Sequence, residues 1–404
     1  MSKQSLYKLF YIDNDEYKKE YEKRFSSDDT IKFNVKIGNN QAFLCQNVDI
    51  YKLMVSIERT DKEVNQLYSR LPPKAIEQFT NRCLIDEIVL TNNIEGVHST
   101  RKEIDAILND LSNHNEKQRF WGLVKKYSLL IKGEPIEMNT CQDIRAIYDD
   151  IFLEEIKISD SENIPDGEIF RKNPVSVYSP TQKEIHKGLF PEAKIVDTME
   201  KSLEILNNET IDCLIRTAVF HYLFGYIHPF YDGNGRTSRF ISSYMLSQHL
   251  NSLIGYRISY TIKENINKYY EAFKICNHPN NKGDLTPFVE MFLKIVDISE
   301  KQLCEALRKR VNALQYYKNV LLEIFGEKDS MGSLYYVLVQ ATLFSDFGVS
   351  LKELEDGMKI SYNTINKYLK IIPEGILVKQ MQNRIMHCSL NLNEFDKYID
   401  SKIQ

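Results

Sequence analysis

From Ile50 onward apolar residues recur three and four positions apart, stop at Leu71-Pro72-Pro73, and resume through Ile76, Phe79, Leu84, Ile85, Ile88 and Val89 towards Glu95-Gly96. This spacing predicts two amphipathic helices, the second ending with Gly96 as the residue just past its C-terminus. A further helical pattern covers about 98–131, and another starts after Asn139-Thr140. Between 158 and 192 the periodicity fails, and Pro165, Gly167, Gly188 and Pro191 surround an extended Pro174-Val175-Ser176-Val177-Tyr178, which predicts a loop carrying a short hairpin. Helical spacing returns near 192 and persists with breaks to about 325. Ile211–Ile227 is apolar nearly all round, the mark of a central buried helix.

The two ends read differently. Residues 1–50 are mixed, although Lys32–Asn40 alternates polar and apolar positions before a Gly-Asn turn, which predicts a strand and the start of a hairpin. Past Gly326–Ser330 come a helix over Leu334–Leu343, helices capped by Ser350 and Ser361, and apolar runs Ile376–Lys379 and Ile385–Leu390 around Gln382-Asn383. Three short helices followed by a hairpin have the form of a winged helix-turn-helix. The fold class expected is therefore mainly α. The expected regions are an N-terminal region over 1–135 with a helix at about 76–96, a core over 136–300, a connecting helix over 301–329 and a winged-helix-like domain over 330–404.

Composition narrows the function classes. The 404 residues carry a net charge of −4, with 43% hydrophobic and 27% charged positions. That is ordinary for two or three globular domains, and it argues against disorder or a surface that is one nucleic-acid or membrane field. No stretch reaches the ~18 apolar residues of a membrane span, and Met1–Lys8 lacks a signal-peptide pattern, so a cytoplasmic protein without membrane association is expected. Seven dispersed cysteines without a CxxC motif predict neither disulfides nor structural zinc.

The candidate chemistry lies between the buried helix and the next helical run, in His228-Pro229-Phe230-Tyr231-Asp232-Gly233-Asn234-Gly235-Arg236-Thr237-Ser238-Arg239. Pro229 ends one helix, and Gly233 and Gly235 let the backbone turn its N–H groups inward. Such a ring of N–H groups feeding a helix N-terminus is an anion cradle suited to phosphates. Arg236 and Arg239, three apart, share a face and can grip further oxygens. Asp232 beside an anion calls for a cation, and magnesium bridging carboxylate and phosphates supplies one. His228 can accept a proton near pH 7.

This stretch resembles the signature of the Fic family, HPFx[DE]GN[GK]RxxR, at every fixed position. The resemblance implies a helical core with a β-hairpin flap and transfer of AMP from ATP to a Ser, Thr or Tyr hydroxyl of a target protein, with release of pyrophosphate. It implies His228 as general base, Asp232 as magnesium ligand, and Gly233, Asn234 and Gly235 as the phosphate-binding hole. Arg236 would hold the β-phosphate side, Arg239 the γ-phosphate, and Phe230 would anchor the loop. Val175, Ser176 and Val177 lie where the family has its target-positioning flap. Tyr270, with Tyr269 beside it, and Asn277 resemble residues lining the adenine pocket. In all, the resemblance covers about 50–300.

Thr91-Asn92-Asn93-Ile94-Glu95-Gly96 further resembles the family's inhibitory motif [ST]xxxE[GN]. Glu95 at a helix C-terminus needs a cation partner, and Arg239 is the candidate. An autoinhibited enzyme is the expectation, with Glu95 as brake or, alternatively, as a base for hydrolytic removal of AMP. The competing reading is a DNA-binding regulator that uses the core as a nucleotide sensor. Residues 330–404 carry eight Lys/Arg against eight Asp/Glu, so DNA binding is unsupported by charge and protein docking is preferred, with Lys359, Lys367 and Lys370 the best argument for DNA. The target, the nucleotide beyond analogy, self-modification and a homodimer stay open. His221 is expected to be a core residue, and His98, His249 and His278 to be surface or loop residues.

Overall fold

A computed structural model describes residues 4–111, 118–159, 161–178, 184–382 and 385–403, so Asn383 of the expected C-terminal turn lies outside the described residues. By contacts the chain forms two units, 1–62 with 84–301 and 63–83 with 302–404.

The first unit opens with two helices the alternation rule did not disclose, α1 (Leu6–Ile12) and α2 (Asn14–Phe25). Each has a capping signal: Ser5 accepts from the Lys8 N–H, and Asp13 accepts from the N–H groups of Asp15 and Glu16. Their apolar residues Leu6, Leu9 and Tyr17 close a small cluster with Phe43. The expected hairpin follows as β1 (Thr30–Ile37) and β2 (Asn40–Cys45), antiparallel. Then come α3 (Val48–Tyr68) and α4 (Pro73–Ile94), broken at Leu71-Pro72 as the periodicity requires. Gly96 has φ of +73°, the left-handed conformation that favours glycine after a helix.

The single pattern expected over 98–131 is two helices, α5 (Arg101–Asn109) and α6 (Trp121–Lys132). The polar run beginning Asn109-Asp110 offers no apolar face to continue α5, and α6 restarts behind Phe120 in the left-handed region. Helix α7 (Cys141–Tyr148) starts at Thr140 with a reciprocal capping box to Asp143 and runs through a π-turn at Asp149–Leu153 into α8 (Glu154–Ser159). The predicted hairpin is β3 (Ser176–Tyr178) paired with β4 (Glu184–Lys187), with Val177 opposite His186.

After α9 (Glu192–Leu206) come α10 (Cys213–Ile227) and α11 (Asn234–His249), the centre of the unit. Twelve of the fifteen residues of α10 are buried, which accounts for its all-round apolar sequence. Helices α12 (Ile258–Glu264), α13 (Ile266–Asn277) and α14 (Thr286–Phe325) follow, α14 belonging to this unit up to 301 and to the second beyond it. The turn before α14 ties back to the N-terminal elements through the buried pair Arg24 Nη1 to Asp284 Oδ2 at 3.0 Å.

The second unit contains α15 (Ser330–Phe344), β5 (Val349–Ser350), α16 (Leu351–Met358), α17 (Tyr362–Ile371), β6 (Leu377–Gln382), β7 (Ile385–Leu390) and α18 (Leu392–Ile403), with the sheet ordered β5-β7-β6. Ser350 caps its helix as expected and does so in a reciprocal box with Glu353. Ser361 does not cap α17 with its side chain, because its hydroxyl lies 3.0 Å from the Thr364 hydroxyl instead. Residues 63–83 group with this unit and not with the N-terminal region in which 1–135 placed them. The reason is on their surface: Arg82 pairs with Asp346 at 3.0 Å, Lys74 with Glu353 at 2.9 Å, and Phe79 meets Phe344 edge to face. No helix among the described residues is long and apolar enough to cross a membrane.

Candidate active site

His228 caps α10 with φ of +53°, a left-handed conformation that costs a non-glycine residue energy and must be held by its surroundings. The loop then dives into the core. Phe230 is fully buried and stacks on Tyr148 with ring centroids 3.6 Å apart. Asn234 closes the loop through both ends of its amide: Oδ1 accepts from the Phe230 N–H at 3.0 Å and Nδ2 donates to the Phe230 carbonyl at 2.8 Å. These contacts place the histidine and the start of α11 on one rigid turn. Replacing Phe230 with alanine is expected to cost about 3–5 kcal/mol, read by urea unfolding. A loss near zero would mean that the loop is not anchored there.

Gly233, with φ of +77°, forms the N-cap of α11. Asp232 Oδ1 accepts from the Gly233 N–H at 2.6 Å, and about half of the Asp232 side chain is exposed. Arg236 is buried over the Phe152 ring, donates to Glu155 at 2.9 Å and lies 3.5 Å from Asp232, while its Nε has no acceptor. Arg239 is buried one turn further on, where Nε donates to the Thr91 hydroxyl at 2.7 Å, Nη2 to the Thr91 carbonyl at 3.1 Å and Nη2 to Glu95 Oε1 at 2.6 Å. Burial, the largest single influence, works against this guanidinium, but Glu95 together with Tyr269 and Tyr127 holds the pKa above its ordinary value.

Glu95 does more than pair with Arg239. A Cβ built on Gly235 would overlap its carboxylate oxygen, so the carboxylate rests against the first turn of α11, where the helix dipole attracts negative charge. The sequence-predicted pair of Glu95 and Arg239 is thus brought together, with Thr91 as a second partner that spacing alone did not reveal.

His228 is only partly accessible, and burial, followed by the charges of His186 and Arg171, lowers its pKa to about 3. His221 is a core residue, bridging the Ser242 and Tyr269 hydroxyls at 2.8 and 2.7 Å. Tyr269 is therefore structural. Tyr270 is 44% exposed, and its pKa is raised by burial first and by the Glu95 charge second. Asn277 accepts from the Tyr222 hydroxyl at 2.7 Å. Of the remaining histidines, His98 is exposed, His249 meets Glu58 at 2.9 Å, and His278 accepts from the Asn280 N–H. Val175 and Ser176 are partly exposed on the hairpin, and Val177 is described by its strand pairing alone.

Periodicity missed several participants. Glu155 holds Arg236 from the short α8, and Tyr148 supplies the platform under Phe230. Glu87, two turns before Glu95 on α4, is fully buried and accepts from the Ser259 N–H and hydroxyl. Burial lifts its pKa from 4.5 to about 7, against the pull of Ser259, Arg239 and Arg257. A raised folded-state pKa means that the stability carried by the neutral acid is complete below pH 4.5 and is lost as pH rises through 7. Glu87→Gln is therefore expected to gain on the parent by about 1 kcal/mol per pH unit across that window. Unfolding curves at pH 5 and pH 8 with the same difference would contradict it.

Asp232 offers one half-exposed hard oxygen donor beside the glycine turn, which suits a magnesium ion carried in with phosphates. Among the described residues no three His, Cys, Asp or Glu side chains converge as a metal site. A metal here would thus take most of its ligands from the nucleotide and water.

Residues 139–246 match the Fic/DOC family. The chain is 33% identical over 138 residues to the protein adenylyltransferase Fic of Drosophila yakuba, covering 34% of this chain and 25% of that protein. It is 31% identical over 237 residues to the Drosophila ananassae protein of the same name, covering 57% and 43%. It thus spans less than half the length of these curated relatives. A crystal structure of a Fic family protein from Desulfovibrio desulfuricans G20 aligns with a TM-score of 0.52 at 18% identity, over 86% of this chain and 97% of that one, a likeness of fold.

Proposed function

We propose that this chain, whose residues 139–246 form a Fic/DOC family domain, transfers AMP from ATP to a hydroxyl of a protein and is held back by its own Glu95. The observation that carries the proposal is the turn itself: a histidine at the end of α10, a glycine N-cap and two buried arginines in the first turns of α11 are locked together by Phe230 and Asn234.

In the proposed reaction the target hydroxyl oxygen bonds to the α-phosphorus, the bond from that phosphorus to the bridging oxygen of the β-phosphate breaks, and pyrophosphate leaves. His228 takes the hydroxyl proton. Its pKa of about 3 makes it a poor base in the unliganded protein, and the negative charge of a triphosphate beside it would raise that value towards neutrality. The N–H groups of Asn234 and Gly235 would take phosphate oxygens, that of Gly233, now held by Asp232 Oδ1, would join them once this carboxylate turns to the metal, and the unpartnered Arg236 Nε suits an incoming acceptor on the β-phosphate side. Arg239 would take the γ-phosphate. Magnesium, when bound through Asp232, would neutralise phosphate charge. Tyr270 and Asn277 are assigned to the adenine side, and Val175, Ser176 and Val177 to docking the target backbone by strand addition.

The brake is electrostatic competition. With Glu95 on Arg239 and over Gly235, the γ-phosphate meets a carboxylate in place of a free guanidinium. The C-terminal unit is assigned to contact with protein, given its zero net charge over 330–404. The decisive test is to incubate a Glu95→Gly variant and cell extract with ATP labelled at the α- or the γ-phosphate and determine the mass of the modified peptide. Retention of α-label as an AMP adduct supports the proposal. Retention of γ-label identifies phosphoryl transfer, and no label on any protein rejects both.

A further inference from the structure

The last carbonyls of a helix have no partner within it and must find one elsewhere. At the end of α10 three successive carbonyls find theirs in the segment 171–189. His186 Nε2 lies 2.6 Å from the Tyr226 carbonyl. The Leu189 N–H donates to the Ile227 carbonyl at 3.0 Å. Arg171 Nε donates to the carbonyl of His228 at 2.9 Å.

Arg171 is an unusual residue to find there. It is completely buried, and its guanidinium donates to neutral carbonyls: besides His228, Nη1 donates to Asn173 at 2.6 Å and Nη2 to Leu189 at 2.9 Å. Burying a guanidinium on carbonyls alone is costly, and desolvation lowers its pKa accordingly. Gly188 has no side chain because a Cβ there would overlap Arg171 Nη2 and stand 3.0 Å from the His228 Cβ. The Gly188 N–H in turn donates to the Val175 carbonyl at 3.0 Å, just ahead of β3. One guanidinium therefore joins the segment before the hairpin, the segment after it and the left-handed histidine.

We infer that Arg171, assisted by His186, is a positioning residue: it fixes the height of the hairpin relative to His228, so that a hydroxyl delivered along β3 arrives within reach of the His228 ring. This rests on the AMP-transfer reading, in which the hairpin docks the target and His228 takes its proton. Both residues are bonded to backbone carbonyls and neither has a nucleotide role in that reading, so their loss should slow the chemical step without weakening ATP binding.

The test uses full-length protein carrying Glu95→Gly, with AMP transfer as the assay and amide hydrogen exchange as a second readout. Arg171→Met is expected to lower kcat about tenfold or more with the KM for ATP unchanged, and Arg171→Lys, which keeps a donor and the charge, to recover part of the loss. His186→Ala should do the same to a smaller extent, and His186→Gln, whose amide can still donate to Tyr226, should recover it. In all the impaired variants, peptides covering 184–189 and 226–230 should lose exchange protection together. If the Arg171 variants fail to fold, the His186 pair decides. Unchanged kcat, a matching rise in KM, or failure of the conservative variants to recover would overturn the inference. An inactive Glu95→Gly parent would instead overturn the transfer reading, and the exchange data would then decide alone: protection lost in one peptide without the other refutes the coupling.

Discussion

Glu95→Gly is expected to raise the rate of AMP transfer about 100-fold at fixed ATP. The size follows from what Glu95 occupies. Its bond to Arg239 is charge-assisted, short and shielded by a buried guanidinium, and such bonds are worth about 1.5–3 kcal/mol, which corresponds to roughly 10–150-fold. Removal also frees the space over Gly235. Thr91 keeps its two contacts with Arg239, so the arginine stays in place to receive a phosphate. The rate is read as α-label incorporated into protein, and an unchanged rate would exclude the brake. A chase with unlabelled ATP separates the second role for this carboxylate: if Glu95 serves hydrolysis, label put on by the variant is removed by the parent protein and the initial rates of the two are equal.

His228→Ala in the Glu95→Gly background should then abolish transfer, lowering it by about 100–10,000-fold, the range for loss of a positioned general base. ATP binding should survive, because the anion cradle is built from the glycine turn and the start of α11, held by Phe230 and Asn234 and not by the imidazole. The imidazole sits at a left-handed position, and alanine tolerates it no better than histidine does, so the fold is little changed. Transfer that persists would remove His228 from the mechanism. Retained ATP binding with DNA retention dependent on ATP would favour the nucleotide-sensor reading of the chain.

The parts of this protein that were legible in its sequence share a property: their signals are local. The buried helix α10 announces itself by being apolar on every face, and the turn at 228–239 by glycines and arginines whose spacing fits one backbone geometry. Gly96 marks the end of α4 for the same reason. What escaped depends on partners far apart in the chain. Arg236 meets Glu155 across 81 positions, and no motif marks Glu155 as one marks Thr91 and Glu95. Nothing in the neighbourhood of Arg171 distinguishes it from a surface arginine, since the carbonyls that hold it come from three separate stretches. The polar, charge-rich α2 hid behind a surface-like sequence because it buries little beyond Tyr17 and Arg24. The grouping of 63–83 with the C-terminal unit was out of reach for the same reason, because α4 reads as one uninterrupted helix.

The missing side chain at Gly235 links two distant positions. With the Glu95 carboxylate where it lies, a side chain at 235 would force it to move. The two positions are thus coupled: a side chain at 235 would push the carboxylate off its seat and would also fill space that the proposed phosphates need.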